Sequence, residues 1–211
     1  ETVWRQADRY KVPRIAFVNK MDRTGADFYR VISRIEEQLG ATVVPVALPI
    51  GAEDSFEGCV DLIAMESVTH EDELGAVVKR GPIPGDMMGA ATERRRALVE
   101  KLADHDDILA EKYLAEEEIS EQLIIEALRR ATIAGKISPA LCGSSLKNKG
   151  IQPLIDAIVN YLPCPLDVPA AAGVNPKTDE TETRGHDDNE PLAALAFKIA
   201  NDTFLGTLTY V

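Results

Sequence analysis

Asn19-Lys20-Met21-Asp22 follows directly on the wholly apolar run Ile15-Ala16-Phe17-Val18. A carboxylate such as Asp22 can accept two hydrogen bonds from a purine that offers an N1–H and a 2-amino group. Guanine offers both; adenine offers neither in that geometry. Lys20 can lay its methylenes along one face of the ring, and the Asn19 amide can hold the loop and approach the base. A second cluster, Gly143-Ser144-Ser145-Leu146-Lys147, follows Ile137-Ser138-Pro139-Ala140-Leu141-Cys142. Small residues there let backbone N–H groups reach the exocyclic oxygen of guanine, whereas the amino group of adenine would meet them donor to donor. Leu146, or the stem of Lys147, can cover the ring face opposite Lys20. The candidate base-binding residues are therefore Asn19, Lys20, Asp22, Ser144, Ser145 and Leu146. On the residues alone, Asp22 reads equally as a loop carboxylate or helix cap, and Ser144 and Ser145 can serve as caps.

Two elements must position these loops. The run 15–18 reads as a strand buried on both faces, as in a parallel sheet. Asp27 can cap the helix that follows through Phe28, Val31, Ile32, Ile35 and Leu39, and Gly40 stops it. Ile137 to Cys142 repeats the pattern, with a helix over 151–162 through Ile151, Leu154, Ile155, Ile158, Val159 and Leu162. The C-terminal ends of such strands are where α/β folds place ligands.

Between the two strand–helix units the pattern changes. Residues 43–50, 59–63 and 64–68 read as strands of a small antiparallel or mixed sheet, and the Gly- and Pro-rich residues 70–85 as turns. One helix is expected over about 86–114, with a break near Asp104 to Asp107. Another is expected over about 120–133, capped by Ser120, with Leu123, Ile124, Ala127 and Leu128 inward. Beyond Pro163, residues 173–190 read as an exposed hairpin or linker. Leu192 to Phe197 and Gly206 to Val211 read as the start of a second sheet.

Bulk composition excludes several classes. The 211 residues carry 23 Lys and Arg against 35 Asp and Glu, a net charge of −12, so a basic shell that holds nucleic acid by its phosphates is not expected, which leaves room for local basic contacts. Cys59, Cys142 and Cys164 form no CxxC pattern, which argues against a zinc knuckle or disulfide framework; all three read as small buried hydrophobes. No apolar stretch is long enough to span a bilayer, and the expected location is the cytoplasm. His70, His105 and His186 read as surface residues, Arg94-Arg95-Arg96 as a solvated helix face, and Lys147 and Lys149 as surface or RNA-contacting. Opening on Glu1 without Met and closing on a strand pattern, the chain is expected to be a piece of a longer protein.

Asn19-Lys20-Met21-Asp22 and Gly143-Ser144-Ser145-Leu146 resemble the two guanine-specificity loops of the translational GTPases. Long matching stretches (1–22, 48–54, 131–136, 147–169 and 194–210) make the elongation factor G family the best fit. Ser145 stands where that family commonly has Ala. The resemblance implies an α/β fold: a partial P-loop GTPase-type parallel sheet with an inserted α+β subdomain, followed by the first strands of a β-barrel domain. Residues 1–40 and 136–165 would be the C-terminal half of the GTP-binding domain, 41–135 the insert, 166–190 a linker or hairpin, and 191–211 the start of the barrel. It implies GTP and GDP as ligands, with Mg2+ held by residues outside this chain. The implied partners are the ribosome, through large-subunit RNA and the stalk protein; neither DNA nor a membrane is implied, and the protein would be a monomer. The sequence has no GxxxxGK[ST], and no DxxG is followed by His. A GTP hydrolase is therefore implied for the parent protein, with no catalytic or metal-binding residue here. Alternatives are a non-catalytic protein-binding module, or part of a sister translational GTPase of the peptide-release, ribosome-protection or organellar type.

Overall fold

A short helix, α1 (Thr2–Arg9), leads past Pro13 into β1 (Ala16–Val18) and then α2 (Phe28–Leu39). The computed structural model of the protein describes residues 1–72 and 75–211, in two compact units, Glu1–Leu162 and Pro163–Val211. In α1 no residue is fully buried; Trp4 is held instead by the Arg14 guanidinium, 4.5 Å above its ring. The caps of α2 are the expected ones. Asp27 accepts a hydrogen bond from the Arg30 amide, and Gly40 turns the chain at φ 64°, where a side chain would be strained.

Next come β2 (Val43–Pro45), β3 (Ala47–Ile50), β4 (Gly58–Asp61), β5 (Glu66–His70) and β6 (Val78–Gly81). Three helices follow, α3 (Met88–Ala103), α4 (Asp107–Leu114) and α5 (Glu121–Ile133), then β7 (Ser138–Cys142) and α6 (Ile151–Tyr161). β1, β7 and β2 form a parallel sheet in that order, with β7 in the middle. β3, β4, β5 and β6 form an antiparallel sheet. All five residues of β7 are buried. Its alternation splits them between two apolar clusters: Ala140 and Cys142 pack with Val18, Met21, Phe28 and Ile32, while Leu141 packs with Leu102, Leu109, Ile124 and Leu128. A strand buried along its whole length is what a sheet covered on both faces produces.

The sequence pattern and the structure differ in several places. Val43–Pro45, expected with its neighbours in one small sheet, pairs in parallel with β7; Val43 and Val44 alternate between the two clusters. The strand expected at 64–68 begins two residues later, at Glu66. β6 lies within the stretch expected to be turns. Its Lys79 and Arg80 pair with Glu71 and Glu66, as suits a charged strand at a sheet edge. Residues 73 and 74 of that stretch lie outside the described residues. In α6, Ile155, Ile158 and Val159 are exposed, and Ala157 and Tyr161 are the buried residues. Arg94 and Arg95 are not simply solvated: Arg94 lies over the Tyr29 ring, and Arg95 donates to the Leu62 and Ile63 carbonyls. Cys164 is exposed, unlike Cys59 and Cys142.

The second unit contains the hairpin β8 (Ala171–Val174) and β9 (Thr181–Arg184), and a second hairpin of β10 (Lys198–Asp202) and β11 (Gly206–Tyr210). Leu192 to Phe197, expected to be a strand, has no regular structure; pairing starts at Lys198, opposite Tyr210. The molecule is thus a mixed α/β protein with several separate sheets.

The break expected near Asp104 to Asp107 separates α3 from α4, and Asp106 makes it. Its carboxylate accepts from the Leu109 amide at 3.0 Å and from Arg130 Nε at 2.6 Å, with the side chain 4 % exposed. The bond from Arg130 holds the carboxyl below its ordinary value of 3.8. Asp106→Ala should lower stability by about 1–3 kcal/mol in urea denaturation near neutral pH. Because the folded value is depressed, the contribution is complete above the ordinary value and is lost as the pH falls through the folded one. The gap between wild type and variant should therefore narrow in acid; a gap that stayed constant would show that the charge contributes nothing.

Candidate guanine-recognition site

β1 and β7 run side by side with Val18 opposite Cys142, so their C-terminal ends deliver residues 19–22 and 143–149 to one edge of the sheet. Backbone bonds join the two loops: Gly143 N donates to the Val18 carbonyl at 3.0 Å, and Met21 N donates to the Gly143 carbonyl at 3.1 Å. Position 143 has no space for a side chain. A Cβ there would stand 2.4 Å from the Lys149 carbonyl oxygen and 2.6 Å from the Phe17 ring. The second loop also closes on itself, with Ser144 N donating to Lys149 O at 2.9 Å and Lys149 N to Ser144 O at 3.0 Å.

Asn19 is the clamp. Its Oδ1 accepts from the Ser145 amide at 2.9 Å, the Ser145 hydroxyl at 3.1 Å and the Lys20 amide at 2.7 Å. Asn19 thereby ties the first loop to the second. The oxygen is committed to the protein, which leaves Nδ2 as the group able to donate to a base. Lys20 sits at φ 63°, an uncommon conformation for a residue with a side chain, and is exposed.

Asp22 is buried, whereas Leu146 is 79 % exposed. The Ser144 hydroxyl donates to the Asp22 carboxylate and holds its pKa down. Burial opposes this, and its own backbone N–H and the charges of Lys147 and Arg23 add to it. The result is a carboxylate that stays ionised at neutral pH, as an acceptor of two N–H bonds must be. Ser144 is itself fully buried, and its Oγ also accepts from the Lys147 amide at 3.3 Å. With the amides of Ser144, Ser145 and Lys147 engaged, Leu146 N is the amide of that turn left without an acceptor among the described residues. It is the donor this turn can offer to an exocyclic carbonyl.

The structure therefore bonds Asn19 to Ser145 and sets Asp22 beside Ser144, with Lys20 and Leu146 exposed on the two loops. Lys147, read from sequence as a surface residue, stands with Nζ 4.0 Å from Asp22 Oδ2. Sequence reasoning missed the supports from the segment between the two loops. Glu53 N donates to the Met21 carbonyl at 2.8 Å, its Oε1 accepts from Gly25 N at 2.6 Å, and Lys149 Nζ donates to the Phe56 carbonyl at 3.1 Å. No spacing rule links residues so distant in sequence. A separate cleft of about 310 Å3, which includes Asp61, Arg80 and Tyr161, contains none of the six candidate residues.

Residues 1–164 match the family model described as the elongation factor Tu GTP binding domain. Among solved structures, the fold is similar to the crystal structure of ttk003000868 from Thermus thermophilus. The TM-score is 0.75 at 23 % identity, over 98 % of this chain and 28 % of that one. At that identity the likeness is one of fold, and the chain spans little more than a quarter of the protein it matches.

Asn19→Ala removes the oxygen that holds Ser145. Amide exchange at Ser145 should become faster by about threefold to tenfold, the worth of one net hydrogen bond. Unchanged exchange measured by NMR would mean that the Asn19 clamp does not hold the loop.

Proposed function

The chain belongs to the elongation factor Tu GTP binding domain family, and on that premise we propose that it is part of a ribosome-dependent GTPase of the elongation factor G type. Such a protein promotes translocation of tRNA and mRNA during protein synthesis. In this reading Asn19, Lys20, Asp22, Ser144, Ser145 and Leu146 select guanine. Asp22 accepts from N1–H and the 2-amino group, Lys20 covers one ring face, and Leu146 N donates to the exocyclic oxygen. The observation that carries it is the direct hydrogen bonding of two loops far apart in sequence, with Asn19 Oδ1 bound to the Ser145 amide and hydroxyl and Met21 N bound to the Gly143 carbonyl.

The domain plan is part of the proposal. Residues 1–40 and 136–165 supply the C-terminal half of a GTP-binding domain, 41–135 form an insert, 166–190 a linking hairpin, and 191–211 open a β-barrel domain. GTP hydrolysis then requires phosphate-binding loops that this sequence does not contain. Mg2+ would be held there too; among the described residues no group of three or more His, Cys, Asp or Glu could hold a metal ion. The two recognition loops bind and orient the base, and take no part in proton or phosphoryl transfer. The ribosome would be the partner, with the stalk protein meeting the helices around 92–114. The protein would act as a monomer in the cytoplasm. No helix among the described residues is long and apolar enough to cross a membrane.

Titration with fluorescently labelled GDP and ADP tests the reading. GDP should bind at least about tenfold more tightly, a difference of roughly 1.4 kcal/mol. Equal affinities would sink guanine selectivity. Asp22→Asn should move the preference toward xanthosine diphosphate, whose C2 oxygen needs a donor; unaltered guanine preference in that variant would remove Asp22 from its role.

A further inference from the structure

One face of the base-recognition loop rests on His70, at the end of β5, and on Gly75, ahead of β6. Gly150 N, at the end of the loop, donates to His70 Nε2 at 3.1 Å. The Gly75 carbonyl accepts from Asn148 Nδ2 and from Gln152 Nε2, both at 3.0 Å. The approach is close: at Gly75, where φ is 64°, a Cβ would stand 2.5 Å from the Lys147 carbonyl oxygen and 2.7 Å from that of Asn148. Gly150 itself precedes α6 as its N-cap residue at φ 78°, and a Cβ there would meet the Cys142 carbonyl oxygen at 2.5 Å. The loop is thus pinned between the end of β7 and the pair His70 and Gly75.

From His70, hydrogen bonds joined through the Lys149–Gly150 peptide lead back to Ser144, which stands beside the Asp22 carboxylate. His70 holds Gly150. The neighbouring Lys149 exchanges two backbone bonds with Ser144, at 2.9 and 3.0 Å. His70 was read from sequence as a surface residue. It is half-buried, and because Nε2 accepts, the neutral ring must carry its proton on Nδ1.

We infer that His70 is a positioning residue for the guanine-recognition loop, so that the inserted segment between the two loops sets guanine affinity. His70 touches no part of the base in this scheme. It fixes Gly150, and through Lys149 and Ser144 it fixes the face that Ser144 turns to Asp22. A partner that shifts His70 and Gly75 would change how tightly the loop holds guanine, and by reciprocity bound guanine would change how tightly that partner binds. The inference rests on the guanine-binding reading above, but its structural half can be measured without nucleotide.

Three substitutions separate the possibilities. His70→Gln places an acceptor oxygen the same number of bonds from Cα as Nε2. His70→Asn places it one bond short, and His70→Ala removes it. In the nucleotide-free chain, NMR amide exchange at Ser144, Lys149 and Gly150 should speed up by about threefold to tenfold in the Ala and Asn variants and return toward wild type in the Gln variant. GDP affinity, with ADP as control, should fall by a similar factor in Ala and Asn and recover in Gln. Gly75→Ala, which pushes on Lys147 and Asn148 instead, should weaken GDP binding with His70 intact. Exchange that is the same in all three His70 variants and wild type overturns the inference, as does faster exchange that Gln fails to rescue, or faster exchange with GDP affinity unchanged. If wild type itself fails to prefer GDP over ADP, the guanine reading fails, and the inference about affinity falls with it; the exchange data then report only on loop positioning.

Discussion

Everything at the candidate site depends on the parallel pairing of β1 with β7. Ala16, Phe17 and Val18 lie opposite Ala140, Leu141 and Cys142, and that register alone puts the ends of the two strands level. A parallel pair cannot be closed by a tight turn; it needs a crossover, and the crossover must return on the covered side of the sheet. Here the return path contains α2, a strand of the same sheet, a four-stranded antiparallel sheet and three helices. What permits so large an excursion is that β7 is buried on both faces, with clusters on either side that fix its place.

The excursion also supports the site. Glu53 and Phe56, on the connection between β3 and β4, hold one of the two loops each, through Met21 and Gly25 in one case and Lys149 in the other. His70 and Gly75 hold the second loop from the β5–β6 side. A loop anchored by backbone and side-chain bonds on several sides presents its donors in one arrangement, so less ordering remains to be done when a ligand arrives. Charge is distributed to suit. The chain is strongly acidic overall, yet Lys147 and Arg23 flank Asp22 and help to keep it ionised without a hydrogen-bonded ion pair that would occupy its oxygens.

Some of this was written plainly in the residues. The apolar runs before Asn19 and Gly143 identify buried parallel strands, because only a strand covered on both faces dispenses with alternation. Asp27, Gly40, Ser120 and the break near Asp104 to Asp107 mark helix ends by local chemistry, and the structure uses Asp27, Gly40, Asp106 and Ser120 as caps. The types of Asn19, Asp22, Ser144 and Ser145 are enough to propose a base-binding pair of loops. Local pattern failed where partners decide. Val43–Pro45 was not separable from its neighbours, since a short apolar run carries no label for which sheet it joins. Val78–Gly81 has no strand-like alternation and exists because β5 offers an edge and Glu66 and Glu71 offer charges. The apolar stripe of α6 is exposed at Ile155, Ile158 and Val159, so helical spacing identified a helix without identifying its buried face.

Residue type and spacing by themselves determined that this chain carries two polar loops on buried strands, and that Asp22 is a carboxylate able to accept two hydrogen bonds. The tertiary structure alone decided which polar groups remain available. It commits Asn19 Oδ1 to Ser145, sets Ser144 beside Asp22, leaves Leu146 N without an acceptor among the described residues, and brings His70 and Gly75 against the second loop. The reason is physical. Hydrogen-bond capacity belongs to a side chain and can be read from its type, but whether that capacity is already taken up depends on neighbours that the fold brings from far along the chain.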